Sequence, residues 1–165
     1  MFDSAHIHVM IVHLPLVWTA LSMIPLVLGY WKKDKSIQFT GLLLLGLSLI
    51  GLPIAMGSGE ETFEKFMDGS ITASLDEDGA HYALLHYAAA ESISKIGYLT
   101  LALVIGQLFF WKKIFRHKQT LFLITCILNL FLILGFAYVG YIGGKIRHPE
   151  FRPLMSGEAI WNIAK

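Results

Sequence analysis

The sequence predicts an all-α integral membrane protein, a four-helix bundle with both termini on the outer (periplasmic) side, and three observations carry that prediction. First, 55% of the 165 residues are hydrophobic and 15% are charged, with a mean hydropathy of +0.61, which is too apolar for a water-soluble domain. Second, four apolar stretches, about residues 5–30, 37–56, 81–111 and 120–144, each reach the roughly 20 residues a helix needs to cross a hydrocarbon core. They are continuous Leu/Ile/Val/Phe runs without the alternation of a barrel strand. Third, the charges are sorted. The loops WKKDKS and WKKIFRHKQ carry Lys32, Lys33 and Lys35, then Lys112, Lys113, Arg116 and Lys118, and short basic loops stay in the cytoplasm. The segment 57–80 instead holds Glu60, Glu61, Glu64, Asp68, Asp76, Glu77 and Asp78 against Lys65. It is placed outside, with both termini, and residues 1–165 form one multi-pass membrane domain. The net charge of +1 supplies no broad field for nucleic acid.

Ser4 is placed to cap the first helix, which continues through Pro15 and Pro25 to Tyr30 and Trp31 at the inner interface, with bends expected at the prolines. MFDSA lacks a basic leader, so this helix is expected to act as its own insertion signal. The second helix carries Gly41, Gly46 and Gly51, small enough for close helix approach, and ends between Pro53 and Gly59. In the outer loop, Phe63, Phe66 and Met67 recur at helical spacing and suggest a short amphipathic helix on the membrane surface. DEDG then turns into the third helix, where Glu91 and Lys95 stand one turn apart and are expected to pair. The fourth helix holds the sole cysteine, Cys126, and ends in Gly140 and Gly144, a GxxxG packing pattern. Residues 145–165 form an outer tail. GYWKK and FFWKK close the first and third helices alike, so the two hairpins echo each other.

The histidines carry the chemistry. His6, His8, His13, His81, His86 and His148 fall at or near the outer face, and only His117 lies in a cytoplasmic loop. Ionisable groups in membrane spans point to function. His86 shares a helical stripe with Ala83, Ala90, Ser94 and Gly97, a face that something flat can approach closely. His6 and His13 share a face of the first helix, and His8 lies elsewhere. Depth weighs differently: His13 sits just inside the hydrocarbon, while His6 or His8 matches the level of His86 better. His6, His81 and His117 read as interface or loop side chains. Convergent imidazoles among apolar and small residues suit haem iron, and Lys145 and Arg147 beside His148 are placed to neutralise propionates. Zinc ordinarily takes four close ligands, and no such spacing is present. Met10 and Met56 near the outer side keep copper open.

Beyond single residues, HVMIVHLP (8–15) resembles the His-Pro-x-x-Val-His-Phe-Pro signature that opens a family of four-helix bacterial membrane proteins of unknown function. MGSGEE near residue 57, the histidines opening the third helix, and IGGKIRHPE (142–150) resemble that family's later motifs in order and spacing. The resemblance covers nearly the whole chain and implies a b-type haem membrane protein found with respiratory components. By position it maps His8 and His13 to the first motif, His86 or alternatively His81 to the third helix, and His148 to the C-terminal motif. Val9 and Leu14 depart from the signature, which has proline and phenylalanine there.

The expectation is therefore a protein of the bacterial plasma membrane that binds one or two b-type haems near the outer leaflet through histidine pairs. His13 and His86 are the first candidates, with His8 and His148 next and His81 as the alternative on the third helix. Two imidazoles close both axial positions and favour electron transfer. The expected electron partner is quinol or an external redox protein such as a periplasmic cytochrome, drawn to the acidic loop, with other membrane-complex subunits or a second copy as neighbours. No nucleophile with a paired base is visible, so stand-alone catalysis is not expected. Two rival readings are a structural or assembly subunit of a larger complex and a copper- or zinc-handling protein.

Overall fold

The structure, a computed structural model, describes residues 4–69, 76–110 and 118–152. These form five α-helices, α1 (Ser4–Lys32), α2 (Lys35–Ile50), α3 (Leu52–Met67), α4 (Glu77–Phe109) and α5 (Lys118–Arg147), followed by a 3-10 turn at Pro149–Phe151. Because α2 runs into α3 with only Gly51 between them, four helical segments are long and apolar enough to cross a membrane: His6–Lys32, Lys35–Met67, Glu77–Phe109 and Gln119–Arg147. Large apolar side chains such as Leu21, Ile24, Leu47, Ile50, Phe131 and Leu134 face outward, which is consistent with a multi-pass membrane protein.

The chain reverses after α1 in two residues. Lys33 adopts φ 54°, and Asp34 caps α2 by accepting from the backbone N–H groups of Ser36 (2.8 Å) and Ile37 (3.1 Å). At the second junction the helix continues where the sequence suggested an ending. Pro53 lies in the first turn of α3, where its missing N–H forfeits no hydrogen bond. Ser58 and Thr62 donate back to the carbonyls of Ile54 (2.8 Å) and Ser58 (2.7 Å). The expected surface helix is thus the end of α3, and Phe63 stacks on Tyr87 of α4 with ring centres 4.6 Å apart instead of lying against lipid. Asp76 opens α4 by accepting from the Gly79 N–H at 3.0 Å.

Within the bundle, α1 packs on α2, α3 and α5, and α4 packs on α5, α2 and α3, so the two hairpins close a square. In hydrocarbon, burying apolar surface would drive little association and close approach would carry the packing. A Cβ on Gly41 would lie 2.9 Å from Leu26, one on Gly51 3.0 Å from Leu14, one on Gly97 2.5 Å from Leu52 and one on Gly135 2.7 Å from Ile93. The core between them is Leu26, Leu42, Leu45, Leu49, Val104, Phe122 and Leu132. Gly140 and Gly144 are different: a Cβ on either meets nothing within 4 Å. The GxxxG pattern of α5 therefore faces open space and packs no helix among the described residues.

Polar ties cross the middle of the bundle. Asn129 of α5 donates through Nδ2 to the Thr19 carbonyl and to Ser22 Oγ, both at 3.1 Å, while Ser48 of α2 donates to the Pro15 carbonyl at 3.3 Å. Asn129 Oδ1 is buried without a donor among the described residues, which offsets part of what the two bonds contribute. Asn129→Leu is therefore expected to destabilise the bundle by about 1 kcal/mol or less. Reversible unfolding in mixed detergent measures it, and a loss of several kcal/mol would contradict this account.

Candidate functional site

The inward stripe of α1 is small and polar: Ser4, Pro15, Thr19, Ser22, Leu26 and Gly29 are all buried. His8 lies on this stripe one heptad before Pro15 and two before Ser22, whereas His6 and His13 are exposed. His8 is half-buried, and its Nδ1 donates to the Ala55 carbonyl of α3 at 2.9 Å, with Ser58 Oγ at 3.5 Å. Its ring lies on Gly59, where a Cβ would come within 2.8 Å of Cε1 and 3.0 Å of Nδ1.

The other hairpin repeats this arrangement. His86 of α4 donates from Nδ1 to the Val139 carbonyl of α5 at 3.0 Å, and a Cβ on Gly143 would lie 3.0 Å from both Cε1 and Nδ1 of its ring. In each hairpin the accepting carbonyl precedes the glycine by four residues, one helical turn, so a bare stretch of backbone beneath each imidazole fixes its height and tilt. A carbonyl oxygen only accepts, so each Nδ1 carries the proton and each Nε2 keeps its lone pair. The two rings lie 6.4 Å apart, centre to centre, with their planes at 89°.

Around the pair, the ends of α1, α3, α4 and α5 gather at one end of the bundle. Lys65 donates to Ser4 Oγ at 3.1 Å and to Glu61 at 2.6 Å. Lys145 is buried, with its Nζ 4.2 Å from the ring centre of Tyr141 and 5.2 Å from that of Tyr82. Arg152 pairs with Asp76 and donates to the carbonyls of Lys145 (2.8 Å) and Ile146 (3.0 Å), which ties the C-terminal turn across the start of α4. Glu91 and Lys95 pair at 2.9 Å on an exposed face.

The remaining candidates stand apart from the pair. His148 is exposed and bonded through Nδ1 to Glu150 at 2.9 Å, its ring against Phe151. His81 is exposed beside Tyr82, and Arg147 is exposed. His117, with Lys112, Lys113 and Arg116, lies outside the described residues, as does the tail from 153 onward. The structure therefore brings together His8 and His86. The signal that singles out His8 is the spacing of Pro15, Ser22 and Gly29 at seven-residue steps below it.

Several charges at this end are balanced by specific contacts. The hydrogen bond from Arg152 holds the Asp76 carboxyl below its ordinary value of 3.8, and Asp76 in turn raises the Arg152 guanidinium. Glu150 is lowered by its own backbone N–H and by His148. A depressed carboxyl contributes stability above its unfolded value and loses it as pH falls through the folded one. Hydrogen exchange across residues 148–152, corrected for intrinsic rates, is therefore expected to stay flat from neutral pH to about 4 and to rise only below that. A rise that is already complete above pH 5 would contradict this account.

Among the described residues, no three His, Cys, Asp or Glu side chains gather to hold one ion. Two imidazoles alone suit a metal whose other ligands come from elsewhere, as in a porphyrin. Comparison of the chain with protein-family models, with curated proteins and with solved structures finds no match.

Proposed function

We propose that this chain is a multi-pass protein of the bacterial plasma membrane that holds b-type haem between His8 and His86 near the outer leaflet. One observation carries the reading: two imidazoles from opposite hairpins stand 6.4 Å apart with both Nδ1 atoms bound to backbone carbonyls. His8 and His86 would hold such a group, each offering the lone pair of Nε2 from its own hairpin. The donor set fits the group, since each ring is oriented by a second bond at the nitrogen that does not ligate.

Haem held by these two imidazoles would supply one-electron transfer. The chain does the rest. The carbonyls of Ala55 and Val139 keep the proton on Nδ1 and raise the donor strength of Nε2; Gly59 and Gly143 let the rings sit against backbone; the apolar spans limit water. Glu60, Glu61 and Glu64 of α3 and Asp76, Glu77 and Asp78 at the start of α4 stand at this end of the bundle, so the chain exchanges electrons at the outer surface, with quinol or a basic redox protein, as one subunit of a respiratory assembly. Likeness to the His-Pro-x-x-Val-His-Phe-Pro family, proposed on the motifs above, agrees with this role.

A visible spectrum of the purified protein tests the reading. A Soret band and a sharp reduced α-band at the b-type position are expected, and His13→Ala is expected to leave both unchanged because that ring is exposed. Absence of both bands from protein made under haem-replete conditions would leave a structural subunit. The two-histidine donor set also suits two-coordinate copper, and bound copper in such haem-free protein would select that reading.

A further inference from the structure

We infer that Lys145 is the carboxylate anchor of the site: it receives an acidic edge group of the ligand that His8 and His86 hold, and so turns that edge toward the outer end of α5. This rests on the haem reading and adds to it a direction and a charge requirement.

Three observations carry the inference. Lys145 is only 8% exposed, and among the described residues no carboxylate pairs with it. Its neighbours are tyrosines, with a hydrogen bond to Tyr141, and a carboxylate in reach is a stronger partner for an ammonium than a phenol oxygen. The position is also specific. Tyr82, beneath the Lys145 head, precedes His86 by one turn on the same face of α4, and Gly143, under the His86 ring, precedes Lys145 by two residues. The ammonium thus lies at the same end of the bundle as the imidazole, over the Tyr82 ring that stands one turn before it. Finally, the surrounding cations differ from it. Lys65, one turn outward of His8 at Ser4, is already matched by Glu61, and Arg152 is matched by Asp76. Lys145 is the cation at this end whose described contacts leave room for an incoming carboxylate. Arg147, the sequence's other candidate for this role, is exposed.

Titration of haem-free full-length protein in detergent with ferric protoporphyrin IX, and separately with its dimethyl ester, tests this. The ester keeps the ring and iron and removes both charges. The wild type is expected to bind the acid more tightly by about tenfold or more, the scale of one hydrogen bond to a charged group. Lys145→Met is expected to erase the preference while keeping ester affinity, which also shows that its site is intact; Lys145→Arg is expected to restore the preference. Lys65→Met is expected to retain it. Equal binding of acid and ester by the wild type, or an undiminished preference in Lys145→Met, overturns the anchor and leaves the histidine site standing. Binding of neither compound by helical protein removes the haem reading, and the anchor falls with it.

Discussion

Alanine at His8 or at His86 is expected to abolish the six-coordinate b-type spectrum, each change alone being as damaging as both together. The reason is geometric. The imidazoles come from different hairpins, and each is oriented by a carbonyl of its own hairpin, Ala55 for His8 and Val139 for His86. Loss of one ring leaves a single ligand and an open axial position, so haem affinity should fall by at least about tenfold and the remaining species should turn high-spin. The second substitution then has little left to remove, and such non-additivity marks two groups acting as one unit. The 89° between the rings gives an independent readout. Perpendicular imidazole planes interact equally with the two iron orbitals that parallel planes would split, so the ferric wild type should show one strong low-field electron paramagnetic resonance feature. A conventional rhombic signal, or retention of the spectrum in His8→Ala alongside its loss in His13→Ala, would contradict the pairing.

How far the sequence reaches is clearest from these same residues. The four spans are legible because each is a long apolar run, and the structure is helical with four segments of spanning length. The course of the second span beyond Pro53 is not, because proline and glycine read as an ending unless one knows that Pro53 falls in a first turn. His86 is legible as an inward group because Ala83, Ala90, Ser94 and Gly97 mark its face. On α1, the phase shared by His6 and His13 gives no sense of direction: a helix with apolar residues all round has no polar side to orient it. Direction comes from the small and polar positions, Ser4, Pro15, Thr19, Ser22 and Gly29, which line up with His8 and face the partner helices. Gly140 and Gly144 show the reverse problem. Their spacing is that of a packing motif, yet the glycine that makes a close approach is Gly143, since which face meets a neighbour depends on the partner helix.

The glycines beneath the rings give the second large effect, and its size separates the site from the fold. Alanine at Gly59 would put a Cβ 2.8 Å from the His8 Cε1, and alanine at Gly143 would put one 3.0 Å from the His86 Cε1 and Nδ1. The ring has to move, and any movement off the helix surface stretches an Nδ1 bond that is now 2.9 or 3.0 Å long. Loss of that orienting bond typically weakens a metal site by about 10–100-fold, and this is the fall in haem affinity expected for either variant. The fold should respond much less. Both glycines lie inside helices, where alanine is favoured by up to about 1 kcal/mol, and this offsets the loss of one hydrogen bond, so thermal stability of the haem-free protein should change little. Gly140→Ala and Gly144→Ala, on the same helix but with nothing within 4 Å, should change affinity little. If Gly143→Ala binds haem as the wild type does, the imidazole is not held where its carbonyl bond puts it. If the three α5 alanines, at Gly140, Gly143 and Gly144, weaken binding alike, the cause lies in α5 as a whole and not in the backbone beneath the ring.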